Sequence, residues 1–119
     1  MQHNRGVIWD MDGVIADTAQ AHFLSWQHVF KKEGIDFTHE DFQHMFGQRN
    51  DTIISTVVKR NVSQEKIDKI ASAKEIFFRN ASSRDIKAFP GVIDLFKLLE
   101  NQGISSAVAS SAPVDNILD

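Results

Sequence analysis

The chain of 119 residues is long enough for one ordinary domain, and its 42% hydrophobic and 24% charged residues are typical of a globular protein with a modest core. A net charge of −3 gives no broad basic field of the kind that binds nucleic acid or an anionic membrane, so neither partner is expected. The chain has no cysteine, which excludes disulfides and thiolate metal sites.

The first predicted element is a short apolar strand at residues 7–9. It lies between Gly6 and the acidic residues Asp10 and Asp12, a pattern typical of a strand buried on both faces. About five residues precede it, too few for a signal peptide, and no later apolar run reaches membrane-spanning length. We therefore predict a cytoplasmic protein.

Four helices are predicted between residues 19 and 81, because apolar residues recur there at helical spacing. Residues with known preferences for helix ends mark their limits: Gly34 after the first, a Thr38–Asp41 capping box before the second, Asn50 or Asp51 before the third and Ser63 before the fourth.

A fifth helix and a second strand complete the pattern. The stretch "FPGV" begins a helix that ends at Gly103, and "ISSAVASS", residues 104–111, reads as a strand. Two strands this far apart cannot form a hairpin, so we predict an α/β fold with a Rossmann-like parallel sheet, incomplete in this chain, and an inserted α-helical domain. The predicted division is residues 1–17 as core, 18–86 as helical insertion and 87–119 as core.

Asp10 and Asp12 are the candidate catalytic residues. They follow a parallel strand at its carboxyl end, where open α/β sheets bind ligands. A carboxylate is ionised at neutral pH, so Asp10 needs no base to act as a nucleophile, and Asp12 could give a proton to a departing alkoxide and later take one from water. Gly13 lets the backbone approach a phosphate. The alternative is that both acids only end the strand and cap the next turn.

Ser110 and Ser111 end the second predicted strand, just before a helix entered through Pro113. A hydroxyl and the following backbone N–H at such a point suit a phosphate oxygen. The alternative is a polar loop with no ligand, in which one serine lies near the N-cap of the helix.

Four stretches in order resemble the haloacid dehalogenase superfamily, in particular its β-phosphoglucomutase-like and phosphatase members. "DMDGVIADT" is similar to the first motif, "DTAQAHFLSW" to the entry into the helical cap, "FPGV" to the return and "AVASSAP" to the second motif. The resemblance implies that Asp10 forms an aspartyl-phosphate, Asp12 is the general acid/base, both hold Mg²⁺ and Ser110 binds the phosphoryl group. Halide leaves without a proton, so Asp12 argues against dehalogenation.

Three residues of the insertion are candidates for substrate contact. Lys74 lies on an otherwise apolar helical stripe and could either extend to solvent or point into the cleft. Arg49 lies between two helices and could bind phosphate or be solvated. By resemblance, both match substrate-contacting cap positions, and His22 matches a residue that orients the acid or the substrate; its alternative is a surface histidine.

The family's third motif, a lysine, and its fourth, one or two acids, are not found after the second motif. We therefore expect the N-terminal part of a family enzyme, with uncovered apolar faces on Val7, Ile8 and Val108 that favour self-association. The predicted function is Mg²⁺-dependent hydrolysis of a small phosphorylated metabolite, a sugar phosphate or phosphoglycolate-like ester. The alternatives are a phosphosugar mutase and a non-catalytic fragment.

Overall fold

A computed structural model of the chain describes residues 4–82 and 86–118. The elements in chain order are β1 (Gly6–Trp9), α1 (Ala19–Lys32), α2 (His39–Met45), α3 (Asn50–Val58), α4 (Gln64–Ser82), α5 (Val92–Asn101), β2 (Ser105–Val108) and α6 (Val114–Leu118). Strands β1 and β2 pair in parallel, with Gly6 opposite Ser105 and Trp9 opposite Val108. The predicted α/β fold with a helical insertion between its strands is confirmed, although β2 is shorter than predicted.

The described chain forms two compact units. The sheet unit contains residues 4–18 and 86–110, with β1, α5 and β2; the helical unit contains residues 19–82 and 111–118, with α1 to α4 and α6. Asn116 on α6 bonds to Glu75 and Arg79 on α4, so this segment packs with the helices. The predicted division into residues 1–17, 18–86 and 87–119 assigns the α6 segment to the core instead. This division stays a prediction, and residue 119 lies outside the described residues.

The two-stranded sheet is covered on one face only. The ring of Trp9 meets that of Phe96 on α5 edge to face, with centroids 5.1 Å apart. On the opposite face Ile8 is 77% exposed. Val108, the register partner of Trp9 at the end of β2, is 48% exposed. The prediction of a strand buried on both faces is therefore wrong for this chain, whereas the uncovered faces expected on Ile8 and Val108 are found; Val7 is half-buried.

We expect residues 1–119, produced alone, to self-associate, because these apolar surfaces and the strand edges are open to another chain. Light scattering at increasing concentration measures this directly. Ile8→Thr, which makes the open face polar and keeps a β-branched side chain, should reduce the association. A wild-type chain that stays monomeric over the whole concentration range would contradict the prediction.

The buried core lies in the helical unit. Its side chains come from α1 to α4 and the loops between them: Phe23, Trp26, Val29, Phe30, Phe37, Phe42, Ile53, Ile54, Val58 and Ile70. Within the described chain, no helix is both long enough and apolar enough to span a membrane.

Most predicted helix ends are confirmed. Gly34 has φ +76°, and the N–H of Ile35 returns to the Phe30 carbonyl at 2.9 Å. The Ser63 hydroxyl accepts from the Lys66 N–H at 3.1 Å. The cap predicted on Asn50 or Asp51 is wrong: α3 begins at Asn50 after Arg49, and Arg49 makes no side-chain cap bond.

The capping box of α2 is present, since Thr38 Oγ1 accepts from the Asp41 N–H at 3.2 Å and Asp41 Oδ2 accepts from the Thr38 N–H at 3.0 Å. That backbone bond, and then the bond from the Thr38 hydroxyl, lower the pKa of Asp41. A lowered pKa stabilises the folded state above the unfolded value, and this stabilisation is lost as the pH falls through the folded value.

We therefore expect Thr38→Ala to cost about 1 kcal/mol at neutral pH and less near about pH 3. Urea unfolding of the full-length protein at both pH values measures the difference. Ser63→Ala is the matched control. The Ser63 hydroxyl caps α4, but the third residue of that helix is Lys66 and not an acid, so the cost of Ser63→Ala should not change with pH. Equal costs of Thr38→Ala at both pH values would contradict the assignment.

Candidate active site

The carboxyl ends of the two paired strands place the predicted catalytic residues on one edge of the sheet. Asp10 directly follows β1, and Ser110 lies two residues after β2. The Ala109 N–H donates to the Trp9 carbonyl at 2.8 Å, which extends the pairing to the residue before Ser110. Neighbouring parallel strands end at the same edge, so Asp10 and Ser110 share the side of the sheet on which α/β proteins bind ligands.

A tight turn after β1 sets the direction of Asp12. The backbone N–H groups of Val14, Ile15 and Ala16 all approach the Met11 carbonyl, at 2.9 to 3.2 Å. Gly13 has φ +78°, a conformation that costs a residue with a side chain about 1–2 kcal/mol. The Ile15 carbonyl in turn accepts from the Phe89 N–H at 2.9 Å, so the segment that leads into α5 anchors the turn.

The two carboxylates have different surroundings. Asp10 is exposed, and its Oδ1 accepts a hydrogen bond of 2.8 Å from the N–H of Met11. Asp12 is half-buried, and its Oδ1 accepts a bond of 2.7 Å from the hydroxyl of Thr18, which is only 3% exposed. An accessible carboxylate suits attack on a substrate, and a fixed one suits proton transfer. Thr18 was not predicted; the one signal for it in the sequence is a hydroxyl six residues after Asp12.

Magnesium fits this edge only in part. Mg²⁺ prefers hard oxygen ligands, and the Asp10 carboxylate and the Asp12 backbone could supply two of them. Across residues 4–82 and 86–118, however, no group of three or more acidic or histidine side chains is placed to hold a metal. Since Mg²⁺ takes six ligands, water, the substrate phosphate or further protein groups would have to supply the rest.

In the helical unit, Lys74 and His22 come together. Lys74 is 1% exposed, with its Nζ 2.9 Å from His22 Nδ1 and 2.8 Å from Glu75 Oε1. The ammonium also lies over the rings of Trp26 and Phe78, 5.0 and 5.1 Å from their centroids. The interpretations of Lys74 as extended to solvent and of His22 as a surface histidine are therefore wrong.

Glu75 is the residue of this cluster that the sequence did not indicate. Burial opposes its ionisation, but the charge of Lys74 and hydrogen bonds from Lys74, Asn116 and Asn50 together lower the pKa of its carboxyl. The Asn50 amide donates to Glu75 Oε1 at 2.8 Å. Residues that pair on a helix are normally three or four positions apart, so the adjacent positions of Lys74 and Glu75 did not predict an ion pair.

Arg49 and Ser111 lie elsewhere in the helical unit. The Arg49 side chain is 74% exposed and contacts Asp51 at 3.4 Å, as in the solvated interpretation. Ser111 is exposed, and its hydroxyl is 3.5 Å from the Gly47 carbonyl, at the limit of a hydrogen bond. Ser110 and Ser111, predicted to bind one phosphate, thus belong to different units.

Three further histidines of the described chain, His28, His39 and His44, make local contacts. His28 stacks on Phe77 and His39 on Phe23, with centroids 4.1 and 3.8 Å apart. His44 Nδ1 lies 2.8 Å from the Glu40 carbonyl.

Comparison with known proteins decides the family. Residues 7–119 match the family model described as haloacid dehalogenase-like hydrolase. The chain belongs to this family. The haloacid dehalogenase-like chain is 28% identical over 118 residues to β-phosphoglucomutase of Bacillus subtilis, covering 91% of this chain and 51% of that protein. It is 25% identical over 108 residues to phosphoglycolate phosphatase of Agrobacterium fabrum, covering 87% and 46%.

The fold of the chain is also similar to that of a solved family hydrolase. A crystal structure of a haloacid dehalogenase hydrolase, family IA, variant 3, from Entamoeba histolytica superposes with a TM-score of 0.82 at 26% identity. The match covers 96% of this chain and 52% of that one. The chain thus spans about half the length of the relatives it matches.

Proposed function

We propose that the whole protein is a Mg²⁺-dependent hydrolase of a small phosphate monoester, either a sugar phosphate or a phosphoglycolate-like acid. The observation that carries the proposal is the pair of carboxylates after β1, one exposed and one fixed by the buried Thr18. Family membership and the phosphatase and mutase relatives support the same chemistry. A cytoplasmic location belongs to the proposal.

In the first step, an Asp10 carboxylate oxygen attacks phosphorus, and the bond from phosphorus to the ester oxygen breaks. The departing alkoxide takes the proton of the Asp12 carboxylic acid, so that a neutral alcohol leaves. The hydrogen bond from Thr18 holds Asp12 in place for this transfer. Asp10 now carries the phosphoryl group as an aspartyl-phosphate.

In the second step, Asp12 acts as a base. Its carboxylate removes a proton from water as the water oxygen attacks phosphorus, and the bond between phosphorus and Asp10 breaks. Inorganic phosphate leaves, Asp10 is again a carboxylate and Asp12 is again protonated. The Ser110 hydroxyl at the end of β2 would bind a phosphoryl oxygen in both steps.

Asp10 and Asp12 would hold Mg²⁺, which when bound offsets the repulsion between the Asp10 carboxylate and an anionic phosphate. Because the described chain supplies few metal ligands, we expect no appreciable turnover by residues 1–119 alone.

A phosphosugar mutase is the second candidate, favoured by the match to β-phosphoglucomutase. A mutase returns the phosphoryl group from Asp10 to a sugar hydroxyl instead of to water. The full-length protein, incubated with Mg²⁺ and a hexose 1-phosphate, a hexose 6-phosphate or phosphoglycolate, separates the two: a phosphatase releases phosphate, and a mutase interconverts the hexose phosphates. Neither product with any of these esters or with an aryl phosphate would contradict the proposal.

Arg49 is proposed to contact the substrate, since its side chain is exposed and a guanidinium can bind a phosphate through two hydrogen bonds. We expect Arg49→Ala in the full-length protein to raise KM for a sugar phosphate by about tenfold, and KM for a small aryl phosphate much less. Arg60→Ala, an exposed arginine in the next loop of the helical unit, is the matched control. Equal changes for both substrates, or none, would return Arg49 to the solvated interpretation.

A further inference from the structure

The helical unit contains a buried row of three polar groups: the Glu75 carboxylate, the Lys74 ammonium and the His22 imidazole. Lys74 Nζ lies between the other two, 2.8 Å from Glu75 Oε1 and 2.9 Å from His22 Nδ1. Glu75, Lys74 and His22 are 5%, 1% and 8% exposed. In such a setting the position of each proton is decided by the neighbouring groups more than by water.

The middle group is a charged ammonium. It contacts a carboxylate, and it lies over the faces of Trp26 and Phe78. Both kinds of contact favour a cation, and a neutral amine would lose both. Each N–H of an ammonium is a donor, so Lys74 must donate to whatever it meets at hydrogen-bond distance.

His22 Nδ1 must therefore be an acceptor. A nitrogen with a lone pair at Nδ1 requires that the ring proton be on Nε2. An imidazolium, or the other neutral tautomer, would direct an N–H at the ammonium. Stacking on Phe78, with centroids 4.1 Å apart and planes within 8° of parallel, holds the plane of the ring.

Glu75 is fixed on both oxygens. Asn50 on α3 and Lys74 donate to Oε1, and Asn116 on α6 donates to Oε2. Because the two asparagines hold the carboxylate independently of Lys74, it determines where the ammonium lies and keeps it charged.

We propose that Glu75 is a positioning residue that acts through Lys74 to hold His22 in its Nε2–H tautomer. His22 then presents a hydrogen-bond donor at Nε2 and is not available as a base at Nδ1. The proposal deepens the proposed function, on which only its catalytic consequence rests: His22 would not compete as a base, and proton transfer would remain with Asp12.

The test is the nitrogen NMR spectrum of His22 in the ¹⁵N-labelled full-length protein, assigned by its loss in His22→Gln. We expect Nδ1 to have the chemical shift of an unprotonated ring nitrogen and Nε2 that of a protonated one. An Nδ1–H tautomer or an imidazolium at neutral pH would overturn the proposal. The tautomer is read from the wild-type protein, and only the assignment uses a variant of the cluster.

The role of Glu75 is tested by Glu75→Gln. Without the carboxylate, the buried ammonium loses its counter-charge and the neutral amine is favoured, which can accept from Nδ1–H. We expect the ratio of the two tautomers to change by about tenfold or more, and likewise in Lys74→Met. Glu65→Gln and Lys69→Met, exposed residues of the same helix, are the matched controls and should keep the wild-type ratio.

A folded Glu75→Gln protein with the wild-type tautomer ratio would overturn the role of Glu75. If the packing of the ring alone set the tautomer, Glu75→Gln and Glu65→Gln would show the same tautomer ratio. The readout does not involve a phosphate ester, so its failure is distinct from a failure of the proposed phosphatase activity.

Discussion

Asp10→Asn in the full-length protein is expected to lower phosphate release from an aryl phosphate by at least about a thousandfold, because removal of a covalent catalyst normally costs several orders of magnitude. The amide is a far weaker nucleophile than the carboxylate and a poor Mg²⁺ ligand. It keeps the size of the side chain, so the turn after β1 should be unchanged. Phosphate release under saturating Mg²⁺ and substrate measures the effect.

Asp17→Asn is the matched control for this variant. Asp17 belongs to the same acidic stretch and is exposed, and its backbone N–H donates to the Lys87 carbonyl at 2.9 Å, which the substitution leaves in place. We expect it to keep most of the activity. If Asp10→Asn were within about tenfold of wild type, Asp10 would not be the nucleophile.

Lys74→Met in the full-length protein is expected to lower the free energy of unfolding by about 3–5 kcal/mol, because it leaves the buried Glu75 without its counter-charge. Methionine occupies a similar volume, so the loss would come mainly from the charge. A loss of this size is a large part of the about 5–15 kcal/mol by which an ordinary domain is stable. Urea unfolding at neutral pH, followed by tryptophan fluorescence, measures it through Trp26 beside Lys74.

Lys69→Met is the control for this variant, since it removes an exposed lysine from the same helix and should change stability by no more than about 0.5 kcal/mol. The pKa of Glu75 is lowered in the folded state, so the pair stabilises the protein above the unfolded value and this stabilisation disappears as the pH falls through the folded value. The cost of Lys74→Met should shrink in the same direction. A cost below about 1 kcal/mol at neutral pH would mean that Glu75 is not held as an ion.

The sequence predicted the elements wherever a local rule acts alone. Apolar spacing and the glycines at 34 and 103 gave the helix ends, and the Thr38–Asp41 box is a four-residue signal. The rule failed at Asn50, a preferred capping residue that is already the first residue of α3 and donates its side-chain amide to Glu75 of another helix. The burial of β1 was also wrong, since an apolar strand carries no signal of how many of its faces a given chain covers.

The candidate site shows the same division. Asp10, Asp12, Gly13 and Ser110 could be chosen because strand ends and a motif place them. Thr18 and Glu75 could not, because each depends on a contact that only the folded chain makes. Lys74 is an unusual charge on an apolar stripe, but its surroundings follow from the packing of α1 against α4 and not from its spacing.

The parallel pairing of β1 with β2 also fixes an order of events during synthesis. Gly6 must wait for Ser105, about a hundred residues later, whereas the buried side chains of α1 to α4 come from one continuous stretch between the strands. At about 5–20 residues per second, β1 would spend roughly 5–20 s outside the ribosome with no strand to pair with. Ile8, which is exposed even in the folded sheet, would be open to a chaperone during that interval. Slower translation of the helical stretch would prolong the interval and so increase the chance of misfolding.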